Sequence, residues 1–127
     1  MNLLVDTHAM LWFVDGDERL SLKARQAIED PGTKNYISIA SWWEMAIKCS
    51  LGKLQLAKQV ERFMAERVDE GFRVLSIEMR HLPGLATLPF HHRDPFGRLI
   101  ICQALAEGMP VCTGDSHFAA YGIRQIW

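Results

Sequence analysis

The chain has 127 residues, 49% of them hydrophobic, which suffices for one hydrophobic core but not for two. We therefore expect a single domain spanning residues 1–127. The 14 basic and 15 acidic residues give a formal net charge of −1, so a broadly basic nucleic-acid binder is excluded and any contact with phosphates must be local. No secretion signal and no membrane-length apolar run is visible, and Cys49, Cys102 and Cys112 match neither a disulfide nor a zinc pattern. We expect a cytoplasmic protein, without membrane contact, whose cysteines are reduced and buried.

Short apolar runs alternate with helical patterns along the chain. The predicted strands are Asn2 to Val5, Tyr36 to Ile39, Arg73 to Ile77 and Val111 to Thr113. The predicted helices are Ser21 to Glu29, Ser41 to Leu51, Ala57 to Glu70, with an apolar stripe of Val60, Phe63, Met64 and Val68, and a last one from Asp94-Pro95 to Gly108. This alternation predicts an α/β fold with a parallel sheet covered on both faces. Such sheets bind ligands at the carboxyl ends of their strands.

Three acidic residues lie where the predicted sheet would gather them. Asp6 and Asp115 follow the first and last predicted strands, and Glu44 lies in the first turn of the helix after the second. Three carboxylates in a partly dry cleft repel one another strongly unless a divalent cation neutralises them. Magnesium or manganese suits a site made only of oxygen ligands.

Each carboxylate also has a structural interpretation, which the local pattern leaves open. Glu44 could close a capping box with Ser41, in which the two side chains satisfy backbone donors at a helix start. Asp115 could be an ordinary turn aspartate within Thr113 to Ser116. Asp6 is harder to explain in this way, since a charge directly after an apolar strand lies where burial is expected.

Four stretches together resemble the PIN-domain family, and in particular its branch of VapC-type toxins. These stretches are Val5 to Trp12, Ser38 to Lys48 with Leu51 to Leu54, Leu88 to Ile100, and Val111 to Asp115 with Phe118 and Tyr121. They occur in the family's order and cover essentially the whole chain. The resemblance implies a three-layer α/β/α sandwich with a mainly parallel sheet. It also implies a magnesium- or manganese-dependent endoribonuclease, a cognate antitoxin protein that occludes the site, and a homodimer.

Carried over residue by residue, the resemblance assigns metal-binding and catalytic roles to Asp6, Glu44 and Asp115. The usual third motif of this branch reads Asp-Pro-Phe-Asp-Arg, and the second aspartate of that motif is replaced here by Gly97. Asp94 is present and could bind the metal directly or through water, although as an N-cap its carboxylate should turn toward backbone N–H groups. We therefore expect weakened metal binding, a site that depends on Asp94, or an inactive nuclease that still binds its partner.

Basic and aromatic side chains near the acids are candidates for RNA contacts, with ordinary packing or solvation as the alternative. These residues are Lys48, Lys53, Arg93, Arg98, Trp12, Trp42 and Trp43. Thr7 and Ser116 could add hydroxyl contacts at the rim of the acidic site. Trp42 and Trp43 point about 100° apart on a helix, which allows one ring to be buried and the other exposed. His8, His91 and His92 lack metal-ligand spacing. A phosphotransfer domain with an aspartate nucleophile is a rival class, but its usual second aspartate is replaced by His8.

Overall fold

The structure is a computed structural model that describes residues 1–127. Its strands are β1 (Asn2–Val5), β2 (Lys34–Ser38), β3 (Arg73–Leu75), β4 (Val111–Cys112) and β5 (Gln125–Ile126). Its helices are α1 (Thr7–Asp15), α2 (Leu22–Glu29), α3 (Ile39–Ser50), α4 (Val60–Asp69), α5 (Pro83–Thr87) and α6 (Pro95–Glu107), with 3₁₀ turns at Met79–His81 and Ser116–Tyr121. None of the helices combines the length and apolar character that crossing a bilayer requires.

The five strands form one sheet in the order β3-β2-β1-β4-β5, and every neighbouring pair is parallel. From β1 the chain builds the sheet outward through β2 and β3, and then returns to the other side of β1 with β4. The strand order therefore reverses between β1 and β4, which opens a crevice at their carboxyl ends.

A hydrophobic cluster covers each face of the sheet. One joins Leu3 and Val5 to residues of α1 to α4, and the other joins Leu4 to residues of α6 such as Ile101. Alternate residues of β1 therefore point into opposite layers, as strand geometry requires. The three-layer α/β/α sandwich expected from the sequence is confirmed.

The predicted strands and helices are present with small shifts in their bounds, but three elements were not predicted. Helix α1 lacks a clear one-sided apolar pattern, α5 spans five residues, and β5 spans two. The apolar stripe predicted for α4 is partly wrong, because Val68 is 48% exposed. Arg67 is buried instead, with its guanidinium 4.7 Å from the Phe63 ring centroid and 2.8 Å from Glu70.

The three cysteines are all free thiols. Cys102 and Cys112 are buried and Cys49 is half-buried, so burial is confirmed for two of the three. Burial, with a smaller contribution from the charge of Asp6, raises the pKa of Cys112 to about 12. This thiol therefore stays protonated and chemically inert at neutral pH.

The start of α3 corrects the capping-box interpretation. The N-cap is Ser38, whose hydroxyl oxygen accepts from the Ala40 N–H at 3.0 Å, so the helix begins before Ser41. The Ser38 hydroxyl also donates to the buried side chain of Gln103. Ser41 Oγ is buried without a hydrogen-bond partner. Glu44 consequently has no capping role.

Replacing Ser38 should lower the free energy of unfolding much more than replacing Ser41. Ser38→Ala removes the cap and leaves Gln103 without its donor, so we expect a loss of about 1–2 kcal/mol in the free energy of unfolding. Ser41→Ala is the matched control, which should be neutral or slightly stabilising because it removes an unpaired buried hydroxyl. Urea denaturation of the two variants measures both values. A larger loss of stability in Ser41→Ala than in Ser38→Ala would instead support the capping box at Ser41.

Candidate active site

All four predicted acidic residues line one small cleft at the point where the strand order reverses. Asp6 follows β1, Asp115 lies just past β4, Glu44 projects from α3, and Asp94 precedes α6. The cleft has a volume of about 80 Å³ and also includes Thr7, His8, Gly97, Ile100 and Phe118. Four separate segments of the chain thus bring their carboxylates to one place.

Asp6 is the most deeply placed of the four carboxylates. It is the N-cap of α1, and its Oδ1 accepts from the Ala9 N–H at 2.7 Å. Burial raises the pKa of Asp6, the negative charge of Asp115 acts in the same direction, and the Thr113 hydroxyl and the Ala9 N–H oppose them. A cation beside Asp6 would offset the free-energy cost of keeping this buried carboxylate charged, because a nearby positive charge favours the ionised form.

Glu44 joins α1 to α3 through polar contacts in the cleft. The Thr7 hydroxyl donates to its Oε1 at 2.8 Å, and Lys48 Nζ lies 3.0 Å from its Oε2. Both oxygens of this nearly buried carboxylate therefore have a partner. Thr7, which the sequence suggested only as a hydroxyl at the rim, is a direct partner of a predicted site residue.

Asp94 and Asp115 are also helix caps. Asp94 accepts from the N–H groups of Phe96 and Gly97 with Oδ1 and Oδ2 respectively, both at 3.2 Å. Asp115 uses only Oδ1, which accepts from the backbone N–H of His117 at 2.9 Å and lies 2.8 Å from its Nδ1. Asp115 Oδ2 thus has no protein donor, whereas the expected pull of Asp94 toward its own helix is confirmed.

Gly97 lies against the imidazole of His92. A Cβ atom at position 97 would lie 2.9 Å from His92 Nε2 and 3.0 Å from Asp94 Oδ2, so an aspartate cannot enter unless the ring moves by a few tenths of an ångström. The Tyr121 hydroxyl accepts from the backbone N–H groups of His91 and His92, and its oxygen lies 2.9 Å from His92 Nδ1. With its lone pairs so used, the hydroxyl donates to Nδ1, which places the proton of the neutral ring on Nε2. That Nε2 is buried without a partner.

The basic residues near the cleft have three different environments. Lys48 pairs with Glu44, and Lys53 and Arg93 are exposed. Arg98 is buried and donates to the carbonyls of Leu88 at 3.0 Å and Pro89 at 2.7 Å, so it holds the preceding loop rather than a phosphate.

The two adjacent tryptophans of α3 differ in exposure, since Trp42 is buried and Trp43 is 54% exposed. Sequence alone could not assign these roles, because they depend on where each side chain points.

The donor set of the cleft fits a divalent cation that prefers oxygen ligands. It holds four carboxylates, and the raised pKa of Asp6 reflects the cost of keeping its charge there without a counter-ion. No three acidic, histidine or cysteine side chains converge as a preformed metal site. Each carboxylate instead bonds to protein donors, which is the arrangement that repulsion among like charges favours. Rotation of these side chains would be needed to bring their free oxygens to one ion.

Comparison with known proteins decides the family. The profile of the PIN domain matches residues 3–123. The chain belongs to the PIN-domain family. This PIN domain is 28% identical over 120 residues to ribonuclease VapC22 of Mycobacterium tuberculosis, a match that covers 94% of this chain and 91% of the relative. The resemblance inferred from the four motifs is confirmed, and membership in this family decides against the phosphotransfer alternative.

Solved structures agree with this assignment at the level of the fold. VapBC2 from Rickettsia felis bound to a promoter DNA fragment matches with a TM-score of 0.72 at 12% identity, over 98% of this chain and 97% of that one. VapBC-1 from nontypeable Haemophilus influenzae matches with a TM-score of 0.71 at 17% identity, over 98% and 96% of the two chains. These identities are low, so the matches establish the shared PIN architecture and not the chemistry.

The burial of Asp6 predicts a pH-dependent cost to stability in this PIN domain. A raised folded-state pKa means that Asp6 stabilises the fold while protonated, below its unfolded value of 3.8, and that this contribution is lost as the pH rises through the folded pKa. Asp6→Asn keeps an oxygen for the Ala9 N–H without the charge. In EDTA at pH 7, Asp6→Asn should therefore unfold at a higher urea concentration than the native chain, and this gain should vanish below about pH 4.

The matched control for this measurement is Glu18→Gln, which removes an exposed carboxylate that has no hydrogen bond or ion pair. It should change the urea midpoint little at either pH. Equal midpoints for the native chain and Asp6→Asn at pH 7 would contradict the buried-charge interpretation.

Proposed function

We propose that this protein is a metal-dependent endoribonuclease that acts as the toxin of a toxin–antitoxin pair. The observation that carries the proposal is that four carboxylates from four segments line one cleft at the strand crossover of a PIN domain. The relative named ribonuclease VapC22 supports the reaction class. Magnesium or manganese is the proposed cofactor, because both ions suit carboxylate ligands.

In this proposal the chain's own residues bind and orient the reacting groups. Asp6, Glu44, Asp94 and Asp115 would hold the cation, and one of them would take the proton from the attacking water. A bound divalent ion would supply activation of that water and stabilise the charge on the scissile phosphate. Asp115 Oδ2 is best placed to bind, since it lacks a protein donor, and Asp94 is worst placed because both of its oxygens cap α6.

A second candidate function is a PIN-like module that binds antitoxin or RNA without cutting. Two observations favour it: Gly97 stands where the family branch usually has an acid, and the carboxylates are not preassembled around one point. This alternative and the ribonuclease share the same fold. They differ in whether the native chain cleaves RNA.

The proposed partners are an RNA substrate, a cognate antitoxin and a second copy of the chain, within the cytoplasm. The similar structures from Rickettsia felis and Haemophilus influenzae are named VapBC2 and VapBC-1, and another is named as a toxin–antitoxin complex from Klebsiella pneumoniae. Light scattering of the purified chain would test the homodimer. Co-purification with the product of a neighbouring short gene would test the antitoxin.

Cleavage of single-stranded and structured RNAs by the purified chain tests the proposed function. We expect cutting in manganese or magnesium, none in EDTA, and a loss of roughly 100-fold or more in Asp6→Ala, since even residues that only orient metal ligands are worth 10–100-fold. The exposed Glu18→Ala is the matched control and should cut like the native chain. Absence of cutting by the native chain under all conditions would favour the binding module.

Restoring an acid at position 97 separates a damaged enzyme from a pure binding module. In Gly97→Asp the His92 ring has to shift, and its buried Nε2–H then gains a carboxylate acceptor. For an enzyme, the added charge should tighten manganese binding about tenfold and raise cleavage. Titration calorimetry and the RNA assay measure the two effects. Gly97→Ala is the control for the steric change and should give neither gain.

A further inference from the structure

A second cleft lies directly beside the acidic one. It has a volume of about 470 Å³ and is lined by Asp6, His8, Trp12, Arg19, Gly114, Asp115 and Trp127. Asp6, His8 and Asp115 belong to both clefts. A molecule in the larger cleft, which we call the aromatic cleft, would therefore be next to any group held by the carboxylates.

The walls of the aromatic cleft are flat rings in tilted contact. The ring centroids of Trp12 and Trp127 lie 6.0 Å apart at an interplanar angle of 57°, and those of His8 and Trp12 lie 5.7 Å apart at 44°. The Arg19 guanidinium lies 4.8 Å from the Trp12 ring centroid and is oriented by Asp17, which holds it with a contact of 2.7 Å. Both indoles are half-buried, so part of each ring remains open to solvent.

Trp127 is held next to Asp115 by a glycine. A Cβ atom at Gly114 would lie 2.7 and 2.8 Å from two carbons of the Trp127 indole, which no real side chain tolerates. Gly114 does not have a positive φ, so its backbone conformation does not require glycine. The close approach of the indole explains why position 114 is a glycine. The indole ring thereby packs against the backbone that leads into the acidic cleft.

The chemistry of the aromatic cleft selects a neutral planar ligand. Indole and guanidinium faces stack on nucleobases with little dependence on sequence. A phosphate in the same place would meet the carboxylates of Asp6 and Asp115, which disfavour it. A base can reach the cleft only when it is unstacked, which excludes the interior of a duplex.

We infer that the aromatic cleft binds the nucleobase next to the scissile phosphate of single-stranded RNA, with Trp127 as its main stacking surface. The inference rests on the proposed function for the position of the phosphate. It adds a specificity subsite that the acidic residues do not supply. Trp43, which is exposed and packs edge-on against Phe96 at 5.1 Å, lines neither of the two clefts.

Binding of fluorescein-labelled hexauridylate and hexaadenylate, followed by anisotropy in EDTA, tests the inference without cleavage. Trp127→Ala should weaken binding about tenfold, because stacking on one aromatic ring is worth about 1–3 kcal/mol per base. Trp127→Phe should retain most of the affinity, and the matched control Trp43→Ala should stay within about twofold of the native chain. An abasic hexamer carries the same charge, and it should bind the native chain and Trp127→Ala equally.

The outcomes separate this inference from the proposed function. If RNA is cut but Trp127→Ala and Trp43→Ala bind the hexamers alike, the subsite is overturned and the nuclease stands. If base-dependent binding through Trp127 is found without cutting, the base-binding role of the aromatic cleft stands and the nuclease fails. Loss of abasic binding in Trp127→Ala, or failure of the native chain to prefer hexamers with bases, also overturns the inference. If Trp127→Ala does not fold, Trp127→Leu decides, since it fills the space without an aromatic face and should weaken only base-dependent binding.

Discussion

The site depends on carboxylates that begin helices. Asp6, Asp94 and Asp115 are the N-caps of α1, α6 and the last 3₁₀ turn, and each accepts from backbone N–H groups of the segment it starts. An N-cap lies where the chain leaves one element and enters the next. In a parallel sheet, the loops after the strands meet at one edge, so capping carboxylates are brought together there. The same hydrogen bonds that start the helices therefore also place the acids of the cleft.

Because the same carboxylates cap helices and line the cleft, the capping hydrogen bonds also affect the electrostatics of the cleft. Backbone N–H donors stabilise the charged carboxylates, which lets Asp6 and Asp115 remain close despite their repulsion and the burial of Asp6. Glu44 has no capping donor and depends instead on Thr7 and Lys48. A cation would have to compete with Lys48 for Glu44 and with the cap of α6 for Asp94. Asp6 and Asp115 are therefore the carboxylates that a cation can recruit at least cost to the fold.

Sequence-based predictions were correct where a local pattern determines the structure. They failed where contacts between residues distant in the chain determine it. The strand at Asn2–Val5 and the cap at Asp94 could be predicted because apolar runs and capping residues act locally. Asp6, Glu44 and Asp115 could be placed near one another because parallel strands end on the same side of a sheet, and Asp94 was added by the family resemblance. The capping box at Ser41 was wrong, because Ser38 also bonds to Gln103, 65 residues away, and this tertiary contact favours an earlier helix start. The burial of Arg67 in place of Val68 and the packing of Trp127 on Gly114 likewise depend on distant neighbours. The metal-binding roles themselves remain predictions.

Two glycines beside the acids are explained by close approach and not by backbone conformation, since neither Gly97 nor Gly114 has a positive φ. Gly114 admits an indole, and Gly97 admits an imidazole whose orientation is fixed by Tyr121 and by stacking on His117, at 5.2 Å between centroids. At position 97 a buried N–H donor without an acceptor thus occupies space that an aspartate would need. A carboxylate or phosphate oxygen placed beside His92 Nε2 would supply the hydrogen-bond partner that this atom does not have within the protein. A carboxylate introduced at position 97 would therefore meet a hydrogen-bonding group that is already in place, which is the physical reason why this position is the most informative one to change.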